Sequence, residues 1–293
     1  MNKPTRSRSD GDVKRDLSRP PLPQPLPEPV VDNHCHLDIS DGDSWLDPAT
    51  ALDLATSVGV SRIVQVGCDL PGAQWAVETA AEFEAIVAAV AIHPNEAPIL
   101  ASAGRLDEAL AEIERLASSS TKVRAIGETG LDYFRTAEGG RAAQVRSFEA
   151  HIDLAKRLDK TLVIHDRDAH GDVLAMLDAN GAPERTVLHC FSGDPEVAQG
   201  CLDRGGYLSF AGTVTFKNAQ YLRDALKITP LDRILVETDA PFLTPTPFRG
   251  RPNASYLVPT TVRAMAEVRR VELATLCRAI TTNTDKAFGG TWG

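Results

Sequence analysis

The sequence predicts an α/β fold, a (β/α)8 barrel of the TIM type in which parallel strands alternate with helices. From residue 30 onward, short apolar runs rich in β-branched residues alternate with amphipathic segments, and eight such runs occur. The 293-residue length also suits one large domain with a sizeable core. A doubly wound open sheet would show a similar alternation, so the number of strands leaves both architectures open.

The composition is that of an ordinary globular protein, with 43% apolar and 24% charged residues. No apolar run could span a bilayer, and no apolar secretory segment is visible, so we expect no membrane partner. Five scattered cysteines without a CxxC pattern suggest reduced thiols and a cytoplasmic protein. The net charge of −9 argues against a coat of nucleic acid but leaves a local basic site open. We expect a monomer or a weak oligomer.

Residues 1–29 differ from the rest of the chain, and we predict a disordered tail ahead of a single domain spanning residues 30–293. The tail begins basic and then becomes rich in proline, which favours extended polyproline II over helix or central strand. Its basic half could contact nucleic acid weakly, although a solvated extension is the simpler interpretation. The basic residues are Lys3, Arg6, Arg8, Lys14, Arg15 and Arg19, and the prolines are Pro20, Pro21, Pro23, Pro25, Pro27 and Pro29.

The apolar runs define the eight strands in order. They are Val30–His36, Arg62–Gly67, Ile86–Ile92, Val123–Gly127, Leu162–Asp166, Val187–Cys190, Gly206–Ala211 and Ile234–Asp239. Between them, Ala143–Leu158 has helical spacing of its apolar residues, and Asp194-Pro195 has the pattern of a helix cap followed by a first-turn proline. After the last strand, Pro241–Pro259 is predicted as a loop, and helices at Thr260–Val268 and Glu272–Phe288 close the chain.

Histidines and acidic residues gather at the ends of these strands. Five of the seven histidines do so, together with two carboxylates: His34, His36, His93, His165 and His189, with Glu128 and Asp239. In a barrel the carboxyl ends of the strands converge on one face, and that face carries the site. His34 and His36 would share one face of their strand, because side chains alternate with a period of two.

Each of these residues has a structural alternative. Glu128 could cap a helix or turn, but an acid between two glycines adds nothing to packing. Asp239 follows an apolar run, where an unpaired carboxylate would be costly and a metal would offset that cost. Glu237 shares its face and could support a ligand or fill a barrel layer. His93 could orient substrate or bind a loop. We expect His151 and His170, within helices, to be structural or solvated.

The set favours two divalent metal ions, because the four imidazoles other than His93, together with two carboxylates, are too many ligands for one ion that keeps an open position. Glu128 is the natural bridge between ions about 3.5–4 Å apart, a pair that would activate water for attack on a phosphoryl or acyl centre. Imidazole ligands lean toward zinc or manganese. Cations after the strand ends favour an anionic substrate such as phosphate, unless they are ordinary loop residues. They are Arg135, Arg167, Lys217, Arg249 and Arg251.

An ordered series of motifs in residues 30 to 290 resembles the TatD family of metal-dependent deoxyribonucleases. The motifs are His34-Cys35-His36-Leu37-Asp38, Ile92-His93-Pro94, Gly127-Glu128-Thr129-Gly130-Leu131-Asp132, His165-Asp166-Arg167-Asp168-Ala169, His189-Cys190-Phe191-Ser192-Gly193 and Glu237-Thr238-Asp239-Ala240-Pro241. The resemblance implies an amidohydrolase-type TIM barrel and a two-metal site that hydrolyses DNA phosphodiesters, often as a 3′-to-5′ exonuclease. It leaves magnesium open as the metal.

By the same resemblance, the metal ligands correspond to His34, His36, Glu128, His165, His189 and Asp239. His93 and Arg167 fall at positions expected near substrate. The chain departs from the family pattern at Ala91, at Asp166 and at Asn253-Ala254-Ser255, where the family usually has Gly, Ser and Asn-Glu-Pro. None of these departures touches a proposed ligand, but the last one could alter substrate contacts.

The leading hypothesis is therefore a cytosolic two-metal hydrolase that cleaves single-stranded DNA. Asp239 would orient or deprotonate the attacking water, and Arg167, with Lys217, would stabilise charge on the transition state. One alternative is an amidohydrolase-like enzyme acting on a small molecule or on an aminoacyl-tRNA ester. A second alternative is a non-catalytic scaffold that retains a metal-binding barrel.

Overall fold

A parallel eight-stranded sheet forms the centre of the molecule in the computed structural model, which describes residues 3–8, 15–41 and 45–293. Each strand pairs with its neighbours in chain order, from the first barrel strand to the last. The strands are β2 (Val30–Cys35), β4 (Val60–Gly67), β5 (Ile86–Val90), β6 (Val123–Asp132), β7 (Thr161–Arg167), β8 (Thr186–Leu188), β9 (Tyr207–Phe210) and β10 (Ile234–Val236).

The sheet closes where its last strand meets its first. The backbone N–H of Asp239 donates to the carbonyl of His34 at 2.9 Å, and that of His36 donates to the carbonyl of Ala240 at 2.8 Å. The side-chain amide of Asn33 adds a bond to the carbonyl of Val236 at 2.6 Å. These bonds join the two edges that an open sheet would leave apart, so the predicted barrel is confirmed.

Helices surround the barrel, and among the described helices none is both long and apolar enough to cross a bilayer. They are α1 (Pro48–Ser57), α2 (Leu70–Glu82), α3 (Ala97–Ser102), α4 (Leu106–Ser118), α5 (Glu138–Arg157), α6 (His170–Asn180), α7 (Pro195–Asp203), α8 (Gln220–Ile228), α9 (Val258–Arg269) and α10 (Leu273–Ala287). The predicted cap is present, because the Asp194 carboxylate accepts from the N–H groups of Glu196 and Val197.

Buried residues form two layers, one between the strands and the helices and one inside the barrel. Every second side chain of a strand points into the barrel. Because Val163 and Val187 do so, His165 and His189, two residues further along, also face inward and reach the mouth. At the opposite end, the buried ring of Trp292 closes the bottom of the barrel. The guanidinium of Arg62 lies 4.6 Å from the centre of that ring, and that of Arg124 lies 5.9 Å away.

The strand boundaries differ from the predicted ones in ways that affect the site. Strand β6 extends from Val123 to Asp132, five residues beyond the predicted end, because it continues to pair with β7. Strands β8 and β10 end earlier than predicted, so His189 and Asp239 stand beyond the regular ladder. A short pair, β1 (Arg6–Ser7) with β3 (Ile39–Ser40), was not predicted.

Of the tail predicted over residues 1–29, residues 3–8 and 15–29 lie along the barrel, whereas residues 1–2 and 9–14 lie outside the described part. An extended proline-rich chain makes no internal hydrogen bonds, so its carbonyl groups are available to hydrogen-bond donors on the barrel. The Tyr256 hydroxyl donates to the carbonyl of Pro20 at 2.7 Å. The N–H of Leu26 donates to the carbonyl of Val58 at 3.0 Å. These contacts hold the segment along the outside of the barrel.

We expect Phe148→Ala to lower the free energy of unfolding by about 3–5 kcal/mol, because the phenyl ring is fully buried and its loss leaves a cavity. Urea unfolding followed by circular dichroism measures the change. The matched control is Ile99→Ala on α3, where the side chain is 61% exposed and the expected change is within about 0.5 kcal/mol. Equal losses in the two variants would contradict this account of the core.

Candidate metal centre

The structure brings all six predicted ligands together at the carboxyl end of the barrel. One group consists of His34, His36 and Asp239, from the strands that meet where the barrel closes. The Nε2 atom of His36 lies 3.2 Å from Oδ1 of Asp239. The Nε2 atom of His34 lies 3.8 Å from the same oxygen and 3.8 Å from Oε1 of Glu128.

A second group lies on the other side of Glu128 and uses its other oxygen. Oε2 of Glu128 is 2.7 Å from Nε2 of His189 and 3.2 Å from Nδ1 of His165. The Nε2 atom of His93 is 3.9 Å from the same oxygen. Glu128 therefore stands between two sets of histidines, with one oxygen directed at each.

A bulge in β6 directs Glu128 into the barrel. The pairing of β6 with β7 shifts between Ile126 and Thr129, and the extra residue turns the carboxylate inward. The flanking glycines allow the two strands to approach closely. A Cβ on Gly127 would lie 2.4 Å from Cβ of Val163, and one on Gly130 would lie 2.1 Å from the carbonyl oxygen of His165. Any larger residue at either position would push the strands apart.

Partners behind the histidines fix which ring nitrogen faces the centre. The Nδ1 atom of His36 lies 2.9 Å from the carbonyl oxygen of Val66, and that of His189 lies 3.2 Å from Oε1 of Glu237. In both rings Nε2 then faces Glu128. The ring of His165 has the opposite orientation, because its Nε2 lies 3.3 Å from Oδ2 of Asp132. Such outer partners orient ligands and set their tautomers at metal centres.

The charges of the centre favour a cation. Burial works against ionisation of Glu128, but His189 and the other histidines outweigh it and hold the pKa of that carboxyl well below its ordinary value. Burial lowers the pKa of His93 to about 3, so its imidazole is neutral at pH 7. Burial works against protonation of His165 and His189, but Asp132, Glu128 and Glu237 outweigh it and raise the pKa of both rings, so a metal ion bound here would displace protons from them.

Unpartnered polar atoms show that these residues fit a metal ion. Both ring nitrogens of His34 and Oε2 of Glu237 are buried without a hydrogen-bond partner, which is costly unless another group binds them. Overlapping groups of three residues each bring their ligand atoms within 4.8 Å of one another, and together they include every predicted ligand. These residues could therefore hold divalent metal ions.

Cys68 is a member of this centre that the sequence analysis missed. Its thiol donates to Oε1 of Glu128 at 3.0 Å and lies 3.6 Å from Nδ1 of His36. Burial, followed by the charge of Glu128, raises the pKa of Cys68 to about 12, which keeps the thiol protonated. The histidines were identified as chemically active side chains at strand ends. Cys68 directly follows β4, so the same criterion could have identified it.

The three predicted substrate residues have different positions. His93 lies within the centre. Arg167, at the end of β7, is half-buried at the mouth, and its guanidinium stacks 3.8 Å from the ring centre of the exposed Phe134. Lys217 is exposed in the loop beyond β9, and the structure records no contact between Lys217 and the ligand residues. His151, expected to be structural, is buried and accepts from the N–H of Ile92 at 3.2 Å.

A closed parallel barrel with histidines and carboxylates at its mouth is the arrangement of metal-dependent barrel hydrolases. The family described as TatD related DNase matches residues 31–289. A relative from Mycobacterium tuberculosis, named "Uncharacterized metal-dependent hydrolase TatD", is 42% identical over 90% of this chain and 99% of its own. The relative YcfH from Escherichia coli K12, also named an uncharacterized metal-dependent hydrolase, is 38% identical over 88% of this chain and 95% of its own.

A solved structure agrees with these sequence matches. The crystal structure of YjjV, a TatD homologue from Escherichia coli K12, aligns with a TM-score of 0.80 and 26% identity over 89% of this chain and 98% of its own. The chain belongs to the TatD-related family of metal-dependent hydrolases.

Divalent metal should stabilise the folded protein, because the centre exists only in the folded state. We expect Mn²⁺ or Zn²⁺, added to EDTA-treated protein, to raise the melting temperature. At 100 times the dissociation constant the gain is about 2.7 kcal/mol. Glu128→Ala should remove most of this gain, and Glu149→Ala on the exposed face of α5 should keep it. Differential scanning calorimetry measures the shift, and an undiminished gain in Glu128→Ala would exclude Glu128 as a ligand.

Proposed function

We propose that this protein is a two-metal-dependent hydrolase of DNA phosphodiester bonds that acts as a 3′-to-5′ exodeoxyribonuclease on single strands. One observation carries the two-metal part of the proposal. The two oxygens of Glu128 are directed at different ligand groups, His34 and His36 on one side and His165 and His189 on the other. A carboxylate placed in this way is suited to bridging two ions.

The bound metals would supply water activation and neutralisation of developing negative charge. His34, His36, Glu128, His165, His189 and Asp239 would hold them, and the ligands leave magnesium, manganese and zinc as candidates. Asp239 is the residue suited to orient the attacking water and accept its proton. Its side chain is 15% exposed at the mouth, and Oδ1 is held by His36 at 3.2 Å.

Features of the mouth support DNA as the substrate. Arg167 offers a guanidinium that matches phosphate geometry, and Phe134 beside it offers an exposed ring on which a base can stack. The family description names DNases, and the 3′-to-5′ polarity comes from the family resemblance. We assign His93 and Arg167 to substrate binding, and Lys217 to contact with a longer strand, because it is exposed beyond the mouth.

All five cysteines are free thiols, as the sequence predicted, and four of them are buried. Free thiols are typical of a reducing compartment, so we propose a cytoplasmic enzyme. We further propose that it acts as a monomer or weak oligomer, because its ligand set is complete within one chain.

Digestion of single-stranded DNA labelled at its 5′ end, with Mg²⁺ or Mn²⁺, tests the proposal. We expect the labelled strand to shorten stepwise, and EDTA to stop the reaction. Asp239→Asn should lower the rate at least about 100-fold, because the amide cannot accept the proton. The matched control is Asp153→Asn on α5, which is exposed and should keep full activity.

An intact strand in the presence of metal-loaded wild-type protein would contradict the nuclease assignment. Turnover of a small ester or of an aminoacyl-tRNA under the same conditions would then identify the hydrolase by its substrate. Shortening from the labelled end, which releases labelled mononucleotide first, would reverse the polarity while leaving the phosphodiesterase in place.

A further inference from the structure

A short N-terminal segment lies on the rim of the metal centre. We call residues 3–8 the strap. Its strand β1 pairs in parallel with β3, which closely follows the ligand His36. The N–H of Thr5 donates to the carbonyl of Asp38 at 2.8 Å, and that of Arg8 donates to the carbonyl of Ser40 at 2.7 Å. The family match begins at residue 31, so the strap is an addition to the family domain.

The alternation of side chains along the strap directs two arginines toward the barrel. Ser7 is exposed, whereas Arg6 and Arg8 on either side of it are partly buried. The two guanidinium groups therefore belong to the face that lies on the rim.

Arg6 lies close to the bridging carboxylate. Its guanidinium pairs with Asp69, the neighbour of Cys68, whose sulfur is 3.0 Å from Oε1 of Glu128. Its ion pair with Asp69 is long, at 3.7 Å, and its buried Nε has no hydrogen-bond partner. The Arg6 side chain is 34% exposed, so its terminal nitrogens are open to a ligand at the mouth.

Arg8 lies beside the other ligand group. Its guanidinium is 5.1 Å from the ring centre of Phe242, and that ring is 6.2 Å from the ring of His36. Nη1 of Arg8 donates to the carbonyl of Pro241 at 3.2 Å and lies 3.6 Å from Oδ2 of Asp41. Asp41 also binds Arg15, at 3.1 Å.

The strap changes the charge of the rim on this side. The loops after β2 and β4 place Asp38, Asp41 and Asp69 near the mouth, where they would repel a polyanion. Arg6 and Arg8 stand among these acids. Without the strap, these carboxylates make the wall poorly suited to bind a chain of phosphates. The strap adds positive charge to the same wall.

We propose that the strap forms one wall of the substrate site and that Arg6 and Arg8 bind phosphates next to the scissile one. The proposal rests on the proposed function, because a polyanionic strand is the substrate class that presents several phosphates at once. Guanidinium groups suit phosphate oxygens, and two of them on one strand face match a ligand with repeating charges.

The test compares wild-type protein with R6A/R8A, the charge-keeping R6K/R8K, and R278A, a control that breaks an ion pair with Glu28 away from the mouth. KM and kcat are measured on a single-stranded oligonucleotide over a range of monovalent salt, and on bis(p-nitrophenyl) phosphate, which presents one phosphate. For R6A/R8A we expect a roughly tenfold rise in KM on the oligonucleotide and a smaller effect on the small diester. Two lost phosphate contacts should make the plot of log KM against log salt shallower by about 1.4.

R6K/R8K should restore the salt slope, since lysine keeps the charge, and R278A should match the wild type. A folded R6A/R8A with wild-type KM and slope would overturn the proposal and leave the strap a structural element. R6K/R8K with the shallow slope of R6A/R8A would also overturn it, because the effect would then not be one of charge.

Binding of the fluorescein-labelled oligonucleotide to Mn²⁺-loaded D239N, measured by anisotropy, separates this proposal from the nuclease assignment. In one outcome, wild-type protein does not cut the strand but D239N binds it, and adding R6A/R8A to D239N weakens binding and makes its salt dependence shallower. The strap assignment then stands and the nuclease assignment falls. If neither cutting nor binding occurs, both fall.

Discussion

A carboxylate buried at the centre of the barrel mouth is stable as an anion only if positive or donor groups approach both of its oxygens. Glu128 is 4% exposed, and histidines from four strand ends surround it. The bulge in β6 and the close packing of Gly127 and Gly130 serve to bring it there. The partners that orient the imidazoles direct their free nitrogens at the same point. The site is thus built around one side chain whose position every neighbouring strand helps to determine.

Much of this arrangement was predictable because it follows from local periodicity. Alternation with a period of two places His165 above Val163 and His189 above Val187, and parallel strands deliver all such residues to one end. The exact strand ends were less predictable. Asp239 lies three residues beyond β10 yet is held by a backbone bond to His34, a contact between opposite ends of the chain that no local pattern encodes.

The features that were missed depend on contacts between distant parts of the sequence. A proline-rich segment is typical of disorder when considered alone, and its contacts here depend on Tyr256 and other side chains of the barrel that bind its carbonyl groups. Cys68 has no motif around it, and its role depends on the distance to Glu128, 60 residues away. The orientation of each imidazole likewise depends on an acceptor on another strand.

Both ends of the described chain are packed, and this matters for how the protein is handled at the bench. The carbonyl of Lys3 accepts from the indole of Trp75, and the strap that follows lies on the rim of the metal centre, so a polyhistidine tag fused ahead of the strap could compete for the ions being assayed. A tag fused after residue 293 would instead begin beside the stack of Trp292 on Arg62, at the opposite end of the barrel. Metal contents and affinities are therefore best measured on protein from which an N-terminal tag has been cleaved.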